Sequence, residues 1–190
     1  MKIINSKIFK LLVALFILGI ILGIISFIIL DKSNSNIINY FNLIKNGSFN
    51  YEIGLLNSIK YNFKYEFIIW ICGFLTIFVF IIPLLVIFRG ISACFTLITI
   101  IYTFKLKGFL LCLILLLPCM LLNEGIFLIT SYYSLNFSFR TINVIKNNKL
   151  INIKNYSKNY IFQLFIFLGV LFISSLFEIY ITSNILKSVL

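Results

Sequence analysis

The position of Glu124 makes an unusual demand on its surroundings. It lies in LLPCMLLNEGIFLI, residues 116–129, where Pro118, Asn123, Glu124 and Gly125 interrupt an otherwise apolar run. Each is unfavourable inside a membrane helix, through a lost backbone hydrogen bond, lost packing or a buried polar group. A lone carboxylate near the centre of a bilayer costs roughly 2.5 to 3.5 kcal/mol unless it is protonated or turned towards protein or water. Two chemistries fit. Glu124 is either a proton or cation ligand on a transport path, or a group that stitches helices together. In the second case it works with Asn123 to satisfy backbone groups freed at Pro118, while Gly125 allows close approach. Asn123 and Gly125 favour stitching. Glu178, near the end of the last apolar run, has headgroup water within reach and carries less functional weight.

The residue inventory removes most other chemistry. There is no histidine, which excludes Ser/His triads, Cys/His dyads, HExxH zinc sites and histidine proton shuttles. Asp31 is the only aspartate, which excludes a paired-aspartate intramembrane protease, and no GxxxxGK[ST] or GxGxxG is present to cradle phosphates. Cys72, Cys94, Cys112 and Cys119 sit in apolar segments without CxxC or metal-ligand spacing, so they act as small hydrophobes. The chain is expected not to be an enzyme. No catalytic, cofactor-binding or metal residue is assigned, and the candidates at Pro118, Asn123, Glu124 and Gly125, with Arg89 and Gly90, are structural or packing residues.

The elements that position them are helices in a membrane. With 62% apolar and 11% charged residues, the chain cannot be an ordinary soluble domain. The 16 Lys and Arg against 5 acids, a net charge of +11, lie in short loops beside spans. Anionic lipid headgroups therefore account for them better than nucleic acid does. The expected fold is all-α: one integral membrane domain, 1–190, of about five transmembrane helices with a kinked or broken fourth. The first span, 9–30, contains the uncharged run Leu11–Leu30 that follows Lys2, Lys7 and Lys10; the run is longer than a usual signal-peptide core and lacks a small-x-small cleavage pattern after it, so the span reads as retained. It carries a GxxxG pair, Gly19 and Gly23.

Residues 67–104 hold one charge, Arg89, and as one helix would be about 57 Å long against a core of about 30 Å. Two spans, 67–88 and 91–104, are therefore expected, with a tight turn at Arg89 and Gly90. A fourth span, 108–135, would be about 42 Å as a straight helix, so it should kink or break at Pro118. The last span is 160–182. Polar loops are expected at 31–66, with a weakly amphipathic SNIINYFNLI and a KNGS turn, and at 136–159, with five basic residues and no acid. With the N-terminus inside, nine basic residues lie on the cytoplasmic face and seven on the other, a positive-inside bias.

The run from Asn57 to Leu135 resembles the core of the stage II sporulation protein M family. NSIKYNFKY followed by FIIWICG places Ser58, Lys64, Tyr65, Trp70 and Gly73 much as that family does. FRGISACFT, residues 88–96, is similar to its basic-Gly turn and Phe-Thr pair, with Arg89 where a lysine is usual. KGFLL and the LLP ending at Pro118 look like its fourth span. The resemblance implies a role in engulfment, as a membrane anchor in the sporulation septum for two peptidoglycan-degrading partners, stage II sporulation proteins D and P. Loop 31–66 and the short 105–107 turn are the expected contact surfaces. The alternative is a small transporter or permease subunit with its site at the broken fourth helix, around Asn123 and Glu124.

Overall fold

The computed structural model describes residues 6–29, 39, 51–113, 117–146 and 153–177. Among these there is no strand. Five α-helices follow one another: α1 (Ser6–Ile29), α2 (Tyr51–Phe74), α3 (Ile81–Leu111), α4 (Leu117–Lys146) and α5 (Ile153–Phe177), with a 3₁₀ turn, Thr76–Phe80, between α2 and α3. Three stretches, Lys7–Ile29, Thr76–Tyr102 and Ser157–Phe177, are long and apolar enough to cross a membrane. Their outer faces carry large apolar side chains, among them Leu18, Leu22 and Ile28 of α1, Leu84 and Phe88 of α3, and Phe162, Phe165 and Ile173 of α5. Exposed apolar surface on that scale suits lipid rather than water.

Side-chain pairings fix the helix directions. Gly19 of α1 meets Ile87 and Gly90 of α3, and Gly23 meets Ile91 and Cys94, so α1 and α3 run parallel. Thr130 bonds Glu66 and Ser138 bonds the Gly73 carbonyl, so α2 and α4 run parallel as well. Asn62 meets Arg89 and Tyr61 meets Ser92, which sets α2 antiparallel to α3. Phe137 of α4 meets Tyr160 while Tyr133, one turn earlier, meets Phe167, which sets α5 antiparallel to α4 and hence to α2. Leu12, Ile69, Cys72, Val79, Ile82, Val86, Phe127, Tyr132 and Leu135 form the core where α1 to α4 meet.

The structure moves several expected boundaries. Arg89 and Gly90 do not form a turn; both lie in the unbroken helical part of α3 before Lys105. The charge needs no water there because Glu124 of α4 neutralises it and Asn62 of α2 accepts a hydrogen bond from it. The reversal between α2 and α3 instead falls in the uncharged stretch at Leu75, whose φ of −86° and ψ of 87° leave the helix before the 3₁₀ turn, closed by Phe78 N–H donating to the Leu75 carbonyl at 2.8 Å. Val79 on that turn is buried in the shared core, so packing places it. Residues 51–66, expected as loop, are the first turns of α2, and much of 136–159 belongs to α4 and α5. SNIINYFNLI apart from Asn39, KNGS, Asp31 and Glu178 lie outside the described residues.

A second reversal lies within α3. Lys105 has φ 52° and ψ −125°, and the Cys112 thiol reaches the Leu97 carbonyl at 3.9 Å. In an unbroken helix residues fifteen apart would be about 22 Å apart, so the chain turns back at Lys105. The interval expected as one span, 108–135, is shared between the end of α3 and α4. Pro118 lies in α4, just after residues 114–116, which are outside the described residues.

Candidate functional site

Asn62 and Glu66 are one helical turn apart on α2, and with Ile69 and Gly73 they form the stripe that α2 turns inward. Arg89 enters from α3, and Asn123, Glu124, Phe127 and Thr130 enter from α4. All but Phe127 are polar, and all are buried. Arg89 Nε donates to Glu124, at 2.9 Å from Oε1 and 3.1 Å from Oε2, and Nη2 donates to Asn62 Oδ1 at 2.9 Å. The two charged side chains are only 6% and 10% exposed, so neither charge has ready access to water. Aromatic rings complete the enclosure: the guanidinium carbon lies 4.9 Å from the Tyr61 ring centre, 5.3 Å from Tyr65 and 5.6 Å from Phe127. Glu66 sits within electrostatic reach of Arg89 and Glu124 and accepts a hydrogen bond from Thr130. One guanidinium thus serves three helices.

The sequence candidates separate here. Arg89 and Glu124 come together, 35 residues apart in the chain. Glu124 directs its carboxylate to Arg89 rather than to backbone freed near Pro118, and Asn123 is buried with its amide oxygen unpartnered among the described residues. Gly125 permits no close approach, because a Cβ there would meet nothing within 4 Å. Gly90 does: its Cβ would stand 2.6 Å from the Phe16 carbonyl, and the facing Gly19 would run into the Ile87 carbonyl. The GxxxG pair is therefore the seat of α3 on α1.

Sequence reasoning missed Asn62, Glu66 and Thr130. The signal was the 62, 66, 69, 73 spacing, obscured because the neighbouring Lys60 and Lys64 made the segment look like a solvated loop. It also missed a hydroxyl seam on α4. Ser131, Ser134 and Ser138 are fully buried at spacings of three and four. Tyr160 donates to the Trp70 carbonyl at 3.0 Å, which leaves Ser134 to donate to the Tyr160 oxygen at 2.7 Å, and Ser138 donates to the Gly73 carbonyl at 2.7 Å. The Tyr160 ring is stacked between Trp70, at 5.7 Å, and Phe137, at 4.4 Å. A side chain at Gly73 would occupy the space of the Tyr160 hydroxyl.

Among the described residues, no group of three or more His, Cys, Asp or Glu is placed to hold a metal. What the arrangement does is hold helices. Lipid-compatible outer faces around an interior that keeps its polar groups define a helical membrane protein. The family model of stage II sporulation protein M matches residues 12–183, nearly the whole chain, and the chain belongs to that family. No curated protein and no solved structure matches it.

Proposed function

We propose that the chain is a non-enzymatic, five-span membrane scaffold that anchors peptidoglycan-degrading partners at the sporulation septum and the engulfing membrane. Family membership supports the sporulation role. Stage II sporulation proteins D and P are the partners that the resemblance implies. The observation that carries the scaffold reading is the Arg89–Glu124 pair: both ionisable groups answer to each other inside the bundle, and three rings close over the cation. A transport ligand needs an exchangeable partner and a path to water. Helix direction supports the five-span reading. The three apolar stretches run parallel, which suits α2 and α4, antiparallel to all three, as return crossings.

The test is localisation set against flux. Deleting the gene should disperse fluorescent fusions of both hydrolases from the septum, and the double variant Arg89→Met/Glu124→Leu should restore them. Normal hydrolase positioning in the deletion, or a proton flux through the reconstituted protein that Glu124→Gln abolishes, overturns the proposal.

A further inference from the structure

The outward stripe of α2 carries charge that no described carboxylate pairs with. Leu56, Lys60, Lys64, Phe67, Ile71 and Phe74 recur at spacings of three and four, and all six are exposed. Two lysines thus share a face with four large apolar side chains.

The contacts of α2 set the depth of that face. Lys64 lies between Asn62, which is bonded to Arg89, and Glu66, which is bonded to Thr130. Arg89 is the midpoint of the apolar stretch Thr76–Tyr102, and Gly19, which packs on Gly90, is one residue past the midpoint of Lys7–Ile29. Lys64 is therefore level with the middle of two crossing stretches. From there a headgroup layer is about 15 Å away, while a lysine stem extends about 6 Å. An outward ammonium at that depth is unfavourable in hydrocarbon and marks a place that another group completes.

The chemistry of the completing group follows by charge. Glu66 and Glu124 point into the bundle, so neither of these carboxylates answers the two lysines from within the molecule. A soluble acidic segment does not enter hydrocarbon, because its unpaired backbone groups exclude it. A membrane-crossing helix satisfies its own backbone and can carry a carboxylate to mid-depth. We propose that this face of α2 receives a membrane-crossing helix of a partner protein, which pairs a mid-depth carboxylate with Lys60 and Lys64 and packs its apolar part on Phe67, Ile71 and Phe74. The proposal rests on the scaffold reading and specifies the surface through which a partner is held.

The test uses the full-length protein in phosphatidylcholine vesicles. Its probe is a dye-labelled Leu/Ala-rich spanning peptide with one central Glu, alongside matched peptides bearing Gln or Lys, and association is read by energy transfer. The Glu peptide should associate about tenfold more tightly than the Gln peptide. Lys60→Glu/Lys64→Glu should transfer the preference to the Lys peptide. Equal association of the Glu and Gln peptides, or an unchanged preference in the charge-swapped protein, overturns the proposal. So does loss of the preference when phosphatidylglycerol is added, which assigns the lysines to headgroups. Rapid labelling of Lys64→Cys by an impermeant maleimide without peptide overturns it too, by assigning the face to water. If the peptide preference is missing while hydrolase positioning still depends on the chain, this surface is lost and the scaffold stands. A preserved preference with normal positioning in the deletion removes the scaffold instead.

Discussion

Breaking the buried ion pair from one side should be worse than removing it altogether. Glu124→Leu leaves Arg89 charged and buried, though still bonded to Asn62 and enclosed by three rings. Loss of one partner of a buried pair costs about 3 to 5 kcal/mol, and those remaining contacts put this variant near about 3. Arg89→Met leaves Glu124 without its cation and also orphans Asn62 Oδ1, which adds about 1 kcal/mol and puts this variant near about 4. In the double variant Arg89→Met/Glu124→Leu only the Asn62 orphan remains, so the expected loss is about 1 to 2 kcal/mol. The implied coupling, about 5 kcal/mol, lies within the range measured for close, desolvated charge pairs. Trp70, the only tryptophan, is stacked on Tyr160 where α2, α4 and α5 meet. Its fluorescence during reversible unfolding in mixed micelles reads the stability of all four proteins of the cycle. A double variant that loses the sum of the two single losses would refute the reasoning, because the charges would then contribute independently of one another.

Two further substitutions test the backbone of the fold by the same measurement. Gly19→Leu should destabilise by about 3 kcal/mol, because its Cβ runs into the Ile87 carbonyl, whereas Gly125→Ala should be neutral or stabilise by up to about 1 kcal/mol, having nothing to strike. Lys105→Gly should stabilise by about 1 kcal/mol net of the freedom glycine adds to the unfolded chain, because φ 52° with ψ −125° is a turn conformation that glycine adopts without strain. An unchanged unfolding midpoint for Lys105→Gly would show that the turn holds no strain.

What was legible in the sequence is what local composition encodes. The apolar runs announce helices, Gly19 and Gly23 announce a close seam, and Glu124 announces a buried obligation. The misreading of Arg89 has a definite cause. A lone charge in an apolar run looks like a segment seeking water, and its true partners are Glu124 and Asn62, 35 and 27 residues away. No window of sequence contains both. The reversal at 75–80 is harder still, since Thr76 is the only polar residue there and neither glycine nor proline marks the spot. Burial of Val79 in the shared core sets it, and that is a property of the assembled bundle.

The placement of the polar groups explains why they are tolerated. Between helices in lipid, apolar contact alone supplies little drive, because tails are as apolar as leucine, so close backbone approach and interhelical hydrogen bonds carry the association. This chain divides those two means between its helices. α1 and α3 meet through Gly19, Gly23 and Gly90, a seam built from the absence of side chains. α2 joins α3 and α4 through Asn62, Glu66, Arg89, Glu124 and Thr130, and it joins α4 and α5 through Gly73, Ser134, Ser138 and Tyr160. α2 is thus the helix whose inner face is held most by polar contacts. Its polarity is also what made it look like a loop, and without those contacts its sequence has a weak claim to a place in the bilayer. The polar cluster around the ion pair is therefore better understood as what holds α2 in the bundle, through Asn62 and Glu66, with Lys60 and Lys64 facing outward.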